Sequence, residues 1–214
     1  MKIFTQKFAV VQIMVLVLVF GVACSSVFAK DSYFGIQAGA VFLGDLELVQ
    51  SGLTLDTSYD TGYLVGLTLG KKIDQTRFEG ELSYRNSSLS EMTFLGLSIP
   101  VDGEMTSTAI MFNGYYDIKT SSSVTPYLGA GIGFASVSIK DLKIDGTKVA
   151  DDDDIVFAYQ IGAGIVFDIN PNTKLDLGYK YFATTDPSYS DVEGFPFDYQ
   201  YSSHNLTVGL RFSF

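Results

Sequence analysis

The chain has 214 residues, of which 47% are hydrophobic, and a formal net charge of −10 at pH 7. The length fits a single domain, and the acidity argues against a nucleic-acid-binding protein, which needs a basic surface. A mean hydropathy of +0.23 with 14% aromatic residues and 21 glycines is unusual for a soluble protein. Since no long apolar run follows residue 29, these apolar residues are spread along the chain rather than gathered into membrane-spanning helices.

The N-terminal segment has the features of a secretory signal peptide. Two lysines precede an apolar run at residues 8–23, and a cleavage motif of small residues ends at Ala29. We predict that residues 1–29 are removed and that residues 30–214 form one folded domain. Cys24 is the only cysteine and supports no disulfide. The residues before it partly resemble a lipoprotein processing box, so lipidation of Cys24 is the alternative.

After residue 29, apolar side chains recur at every second position. Side chains alternate between the two faces of a strand, so each such segment has one apolar face and one face of glycine, small polar or charged residues. In the third segment, for example, Phe78, Leu82 and Tyr84 alternate with Glu79 and Glu81. Eight strands are predicted, at residues 32–43, 61–71, 76–86, 105–118, 124–139, 155–168, 173–183 and 204–214.

The connections between these strands alternate between long and short. Long polar segments are expected at residues 44–60, 87–104, 140–154 and 184–200, and short turns at residues 72–75, 119–123 and 170–172. This pattern predicts an all-β fold: an eight-stranded antiparallel up-and-down transmembrane β-barrel with four long outer loops and three short periplasmic turns. A soluble barrel of lipocalin type is the alternative, but its core would need larger side chains than the glycine-rich face offers. We expect a short hairpin arm around Phe94 to Leu97, and a solvated loop tip at the four aspartates 151–154.

Three segments carry a resemblance to a known family: residues 77–84 (RFEGELSY), 125–133 (TPYLGAGIG) and 208–214 (VGLRFSF). They resemble the small eight-stranded outer-membrane β-barrels of Gram-negative bacteria, the porin-family and surface-antigen barrels with OmpA-like and OmpX-like shapes. The resemblance covers nearly all of the chain after residue 29. It implies a location in the cell outer membrane and insertion by the barrel-assembly machinery, with Phe212 and Phe214 as the assembly signal. These motifs specify a scaffold rather than an activity.

Ten charged residues fall on the inward-facing phase of the predicted strands. The third and seventh strands lie opposite each other in an eight-stranded barrel, so Glu79 and Glu81 are expected to face Lys174 and Lys180 across a lumen only wide enough for side chains. Buried charges must be paired or hydrated. We therefore predict an interior polar network that plugs the barrel, with a narrow pore as the alternative. Its residues are Arg77, Glu79, Glu81, Arg85, Asp117, Asp168, Lys174, Asp176, Lys180 and Arg211.

No constellation of residues predicts catalysis, a cofactor or a metal site. His204 is the only histidine and follows two serines, as lipid A deacylases of the small-barrel class would require, but their motif is not matched. We interpret His204 as a rim residue. The aspartates at 151–154, with Asp141 and Asp145 nearby, match no known spacing of calcium ligands.

The sequence thus predicts a monomeric outer-membrane β-barrel with a structural or surface-interaction, adhesin-like role, and not an enzyme. The expected partners are outer-membrane lipid and lipopolysaccharide, the barrel-assembly machinery, and an unidentified extracellular ligand at the loops. A small diffusion channel is the main alternative function, and a lipid-modifying barrel enzyme is the other.

Overall fold

The computed structural model describes residues 31–44, 46–50, 53–94, 97–144, 147–190, 196–198 and 201–214. The predicted signal peptide, including Cys24, lies outside these residues and stays a prediction. All regular elements in the described part are β-strands. The same part contains no helix that is both long and apolar enough to cross a membrane.

Eight of the twelve strands in the described residues, numbered in chain order, form a closed antiparallel barrel. They are β1 (Ser32–Leu43), β4 (Gly62–Ile73), β5 (Thr76–Phe94), β6 (Leu97–Asp117), β7 (Val124–Ile144), β8 (Thr147–Asn170), β9 (Thr173–Thr184) and β12 (Ser202–Ser213). Each pairs with its neighbours in this order, and β12 returns to pair with β1 from Tyr33↔Ser213 to Leu43↔Ser203. Closure leaves the barrel without free edges. The predicted eight-stranded antiparallel barrel is confirmed.

The long connections lie where they were expected, but much of their length is strand. β5 and β6 pair as far as Phe94↔Leu97, which forms the expected hairpin arm. The first long segment contains β2 (Leu46–Gln50) and β3 (Leu53–Tyr59), and β3 extends the sheet from β5. The fourth contains a small pair, β10 (Ser188–Ser190) with β11 (Pro196–Asp198).

The third long segment is also strand, because β7 and β8 pair as far as Ile144↔Thr147. The expectation of a solvated loop tip at the four aspartates was therefore wrong. Residues 152–154 pair with residues 137–139 of β7. Their backbone groups are part of the β7–β8 ladder. The high charge of this segment makes it resemble a loop in the sequence.

The apolar face of the long strands changes side along their length, as β7 shows most clearly. From the short-turn end as far as Phe134, which lies halfway along β7 and is 62% exposed, large apolar residues face outward. Beyond Phe134 the inward side chains become apolar, and Val137 is 0% exposed, while Ser136 and Ser138 take the outward phase. Apolar surface turns toward hydrocarbon within a membrane and away from water outside it. The inversion therefore marks the level at which the strands leave the hydrocarbon.

Inward-facing glycines make room for inward-facing tyrosines near the short-turn end of the barrel. A Cβ atom on Gly129 would lie 2.2 Å from Cδ1 of Tyr115, and one on Gly70 would lie 2.3 Å from Cζ of Tyr33. Carbon atoms do not approach so closely, so a larger residue at either position would displace the neighbouring tyrosine, and at Gly129 it would also meet the backbone oxygen of Gly114 at 2.5 Å. The glycine-rich face is thus filled by side chains from neighbouring strands.

Candidate functional site in the barrel lumen

Arg77 is the centre of the layer of the lumen nearest the short turns. It is 2% exposed, its Nε donates to Oδ1 of Asp117 at 2.7 Å, and its Nη1 forms an ion pair with Glu79. Nη1 also donates to the hydroxyl of Tyr33 at 3.2 Å. Lys72 contacts the second carboxylate oxygen of Asp117 at 2.6 Å. Two cations and two carboxylates thereby neutralise one another, which a desolvated charge requires.

Arg211 adds a second ion pair to this layer. Its guanidinium pairs with Asp176, and the hydroxyl of Tyr127 donates to Oδ1 of the same carboxylate at 2.8 Å. The Tyr127 ring lies between the two arginines, with its centroid 4.8 Å from Cζ of Arg77 and 5.5 Å from that of Arg211. Cation–π contacts of this length stabilise guanidinium groups that have left water.

Glu81 organises the middle layer of the lumen. Lys180 Nζ, from the far wall, contacts its Oε2 at 2.8 Å. The amide nitrogens of Asn113 and Gln160 donate to the same oxygen at 3.1 and 3.3 Å. Arg85 Nη2 lies 3.9 Å from Oε1. Side chains from β6, β8 and β9 thus hold this carboxylate of β5, and the contact with Lys180 spans the lumen.

Arg85 lies at the boundary between the polar layers and an apolar region beyond them. It is 0% exposed, donates from Nη1 to Ser83 Oγ at 3.0 Å, and donates from Nε to Asn205 Oδ1 at 3.3 Å. Its Cζ lies 4.0 Å from the centroid of the Phe182 ring. Arg85 therefore joins hydrogen-bonding groups on one side to an aromatic face on the other.

An apolar cluster, here called the outer apolar cluster, fills the inside of the barrel beyond Arg85. Every member is buried, and Leu43, Leu89 and Leu142 pack against it. The members are Met105, Ala109, Met111, Ala135, Val137, Ile139, Val156, Ala158, Phe182 and Tyr201. The sequence analysis did not predict this cluster, because it described the inward phase as mainly glycine, small polar and charged residues. The inversion of the alternation after Phe134 was the signal that could have revealed it.

The ten charged residues predicted to face inward fall into two groups. Seven are buried in the lumen, and Asp176 is half-buried there. Asp168 and Lys174 instead pair with each other beside the β8–β9 turn, where the Asp168 side chain is 48% exposed. The expected contact of Lys174 with a glutamate across the lumen was therefore wrong. The seven buried residues are Arg77, Glu79, Glu81, Arg85, Asp117, Lys180 and Arg211.

The free space of the lumen narrows away from the short turns. A vestibule of about 490 Å³, lined in part by Lys72, Lys174 and Asp117, opens at the short-turn end. A cavity of about 20 Å³ between Gln37 and Lys180 follows further inside, and this volume accommodates about one water molecule. The polar layers thus fill the lumen with side chains rather than with a wide aqueous channel.

His204 lies on the outward face of the barrel, near the end of β12 away from the short turns. Its Nδ1 is 2.7 Å from the hydroxyl of Tyr179, and its ring packs against those of Tyr179 and Tyr181. Ser203 is buried on the opposite face of the same strand, so these two neighbours do not form a nucleophile–base pair. Within the described ranges, no group of three potential ligands could hold a metal ion.

These features define a transmembrane β-barrel of the outer-membrane type, with an apolar outer band, a polar lumen and short turns at one end. The chain belongs to the family described as the outer membrane protein beta-barrel domain, whose model matches residues 15–214. It is accordingly a protein of the outer membrane. The short-turn end is therefore the periplasmic end, and the opposite end lies at the cell exterior.

Relatives of known name agree with this assignment. The outer membrane protein PagN of Salmonella typhimurium is 28% identical over 129 residues, which cover 54% of this chain and 53% of PagN. The chain thus spans about half the length of that relative. A putative adhesin of Rickettsia bellii is 27% identical over 206 residues, covering 84% of this chain and 86% of the relative. The crystal structure of Neisserial surface protein A has the same fold, with a TM-score of 0.57 and 21% sequence identity. The match covers 86% of this chain and 98% of the Neisserial chain.

Proposed function

We propose that this barrel is a surface-interaction protein of adhesin type whose lumen is closed. The observation that carries the proposal is the continuation of β5 to β8 beyond the membrane, as a paired sheet above the outer apolar cluster. A closed lumen leaves the outward hairpins as the part of the molecule that meets the surroundings. The names of the Rickettsia relatives, which are putative adhesins, support the same role.

The β7–β8 hairpin is the segment that we expect to contact an extracellular partner. It has its own polar contact outside the membrane, where Lys148 Nζ donates to Asp141 Oδ1 at 3.1 Å. This hydrogen bond, together with the charge of Lys148, holds the pKa of the Asp141 carboxyl below its usual range. The paired strands of this hairpin carry charges of both signs, at Lys140, Asp141, Lys143 and Lys148, which offer polar contacts to a partner.

Shortening this hairpin tests the adhesive role. Ile139 and Asp152 are directly paired, so replacing residues 140–151 with Asn-Gly joins them through a two-residue turn and keeps the register. A non-adherent Gram-negative strain displaying the wild type should bind cultured host cells above the empty-vector level, and the shortened variant should bind fewer. Surface labelling and heat-dependent gel mobility control for display and folding. Equal binding by the two displayed proteins would contradict the assignment to this hairpin, and wild-type binding no greater than the vector would contradict the adhesive role.

The interior polar network and the outer apolar cluster together act, in this proposal, as the seal of the barrel. The purified wild type should show no steady conductance in planar bilayers. Replacing Phe182 and Tyr201 with alanine removes two buried rings that pack edge to face at 6.0 Å, and the variant should still show no steady conductance because the polar layers continue to fill the lumen. A large, stable wild-type conductance would favour the diffusion channel.

The proposed role requires no catalytic step, and we infer none for the tyrosine-bound His204. We also infer that the chain is inserted by the barrel-assembly machinery through Phe212 and Phe214, and that it functions as a monomer in contact with outer-membrane lipid and lipopolysaccharide. Phe212 is exposed on the closing strand and Phe214 is exposed directly after it, which supports the first of these inferences.

A further inference from the structure

A groove of about 740 Å³ crosses the outward surface of β6, β7 and β8. Its floor consists of the small residues Gly114, Ala130 and Ala163, and the larger residues Leu128 and Ile161 project beside them. The register explains the shape, because Gly114 is paired with Ala130, Ala130 with Ile161, and Leu128 with Ala163. Small residues on adjacent strands thus form one continuous depression in the apolar surface.

The groove begins at the periplasmic interface and ends near the middle of the membrane band. At its lower end, Thr76 is the first residue of β5, and the hydroxyl of Tyr116 donates to the Gln75 side chain in the adjacent turn at 2.6 Å. At its upper end, Ala163 lies midway along the outward apolar residues of β8, which extend from Ile169 to Ile155. The groove therefore spans only the half of the membrane that faces the periplasm.

We propose that this groove binds an acyl chain of a phospholipid from the periplasmic leaflet. The groove is continuous with the lipid-facing surface of the barrel, and one chain lying on its floor of small residues would also contact the projecting side chains of Leu128 and Ile161. Within hydrocarbon, such packing contacts rather than the hydrophobic effect favour association. A second copy of the barrel does not fit the groove, because its convex wall would contact the ridges and leave the floor uncovered.

An exposed cationic residue near the lower end of the groove supports a phospholipid. Lys119 is exposed in the periplasmic turn that follows β6, three residues after Tyr116. A phosphate at headgroup depth would lie near this ammonium group, and juxtamembrane lysines attract anionic headgroups. The Tyr116 hydroxyl marks the same interfacial level, where aromatic residues with a polar end are favoured.

Gly114 offers a selective test. A Cβ atom on Gly114 meets no atom within 4 Å, so a larger side chain there enters the groove without displacing the barrel. Gly80 on β5 also faces outward with no atom within 4 Å, and it does not line the groove, which makes it the matched control. The wild type, Gly114→Leu and Gly80→Leu would be purified from outer membranes in mild detergent and examined by native mass spectrometry. The wild type and Gly80→Leu should retain phospholipid, and Gly114→Leu should retain about tenfold less, the effect of a small loss of packing energy.

Several outcomes would overturn the proposal. Equal phospholipid retention by all three proteins would do so, as would a wild type that retains none. Retention of a lipopolysaccharide species in place of phospholipid would assign the groove to the other leaflet. A wild-type dimer that Gly114→Leu converts to monomer would assign it to a second copy. Heat-dependent gel mobility reports whether each variant folds. If Gly114→Leu does not fold, phospholipid retention is measured instead for Ala163→Leu, at the upper end of the groove.

Discussion

Replacing Glu81 with glutamine should destabilise the barrel strongly while changing almost no volume. Glu81 is 2% exposed, and its carboxylate accepts from Lys180 at 2.8 Å, Asn113 at 3.1 Å and Gln160 at 3.3 Å. The substitution leaves the Lys180 ammonium buried without an opposite charge, although it still donates a hydrogen bond to the Gln37 amide oxygen at 3.2 Å. The perturbation therefore isolates the charge of one carboxylate.

The expected loss can be bounded from both sides. Breaking a buried ion pair by removing one partner costs about 3–5 kcal/mol. Since a glutamine oxygen can still accept from Lys180, we expect a loss of about 3 kcal/mol, the lower end of that range. Asp141→Asn is the control, because Asp141 pairs with Lys148 outside the membrane and its side chain is 69% exposed. An exposed pair of this kind contributes little to stability, so this variant should unfold at nearly the wild-type urea concentration.

Urea unfolding of the two variants in detergent micelles measures both changes. Circular dichroism and gel mobility are suitable probes, since the chain contains no tryptophan. A double variant that also carries Lys180→Met removes the orphaned charge and should recover part of the stability lost by Glu81→Gln. If Glu81→Gln loses no more stability than Asp141→Asn, Glu81 and Lys180 are already hydrated, and the closed lumen must be abandoned in favour of a wet channel.

Three further predictions concern packing, processing and assembly. Gly131→Ala places a Cβ 1.8 Å from Oδ1 of Asn113 and should lower the free energy of unfolding by about 1–3 kcal/mol. Gly80→Ala, where a Cβ meets no atom within 4 Å, should leave it unchanged. Equal urea midpoints for the two variants would refute the close packing. Intact mass of the mature protein should place its N-terminus directly after residue 29, and a diacylglyceryl group on Cys24 would show the lipoprotein alternative to be correct. Deleting residues 212–214 should reduce the amount of protein in outer-membrane fractions far more than Ile118→Ala in an exposed periplasmic turn, and similar amounts of both would contradict the role of the closing strand.

The alternation of side chains was sufficient to predict the eight strands, their antiparallel order and the outward apolar band. This success has a local cause, because a strand with hydrocarbon on one side must repeat its apolar residues every second position. The same logic fails where the surroundings change. The third predicted strand ended at Asn86, but β5 continues to Phe94, since beyond the membrane the outward face becomes polar and the segment resembles a loop when read alone. This part of β5 is a strand because it pairs with β6, and the local sequence pattern does not predict that pairing.

The sequence by itself determined which charged side chains take the inward phase, and the tertiary structure decided their partners. Lys174 and Lys180 have the same phase, but Lys174 is paired with Asp168 across the β8–β9 turn, while Lys180 lies deeper and reaches Glu81. Phase follows from the period of the strand alone. The height of a residue in the lumen depends on the tilt of the strands and the stagger of all eight around the barrel, and only closure between β12 and β1 fixes these.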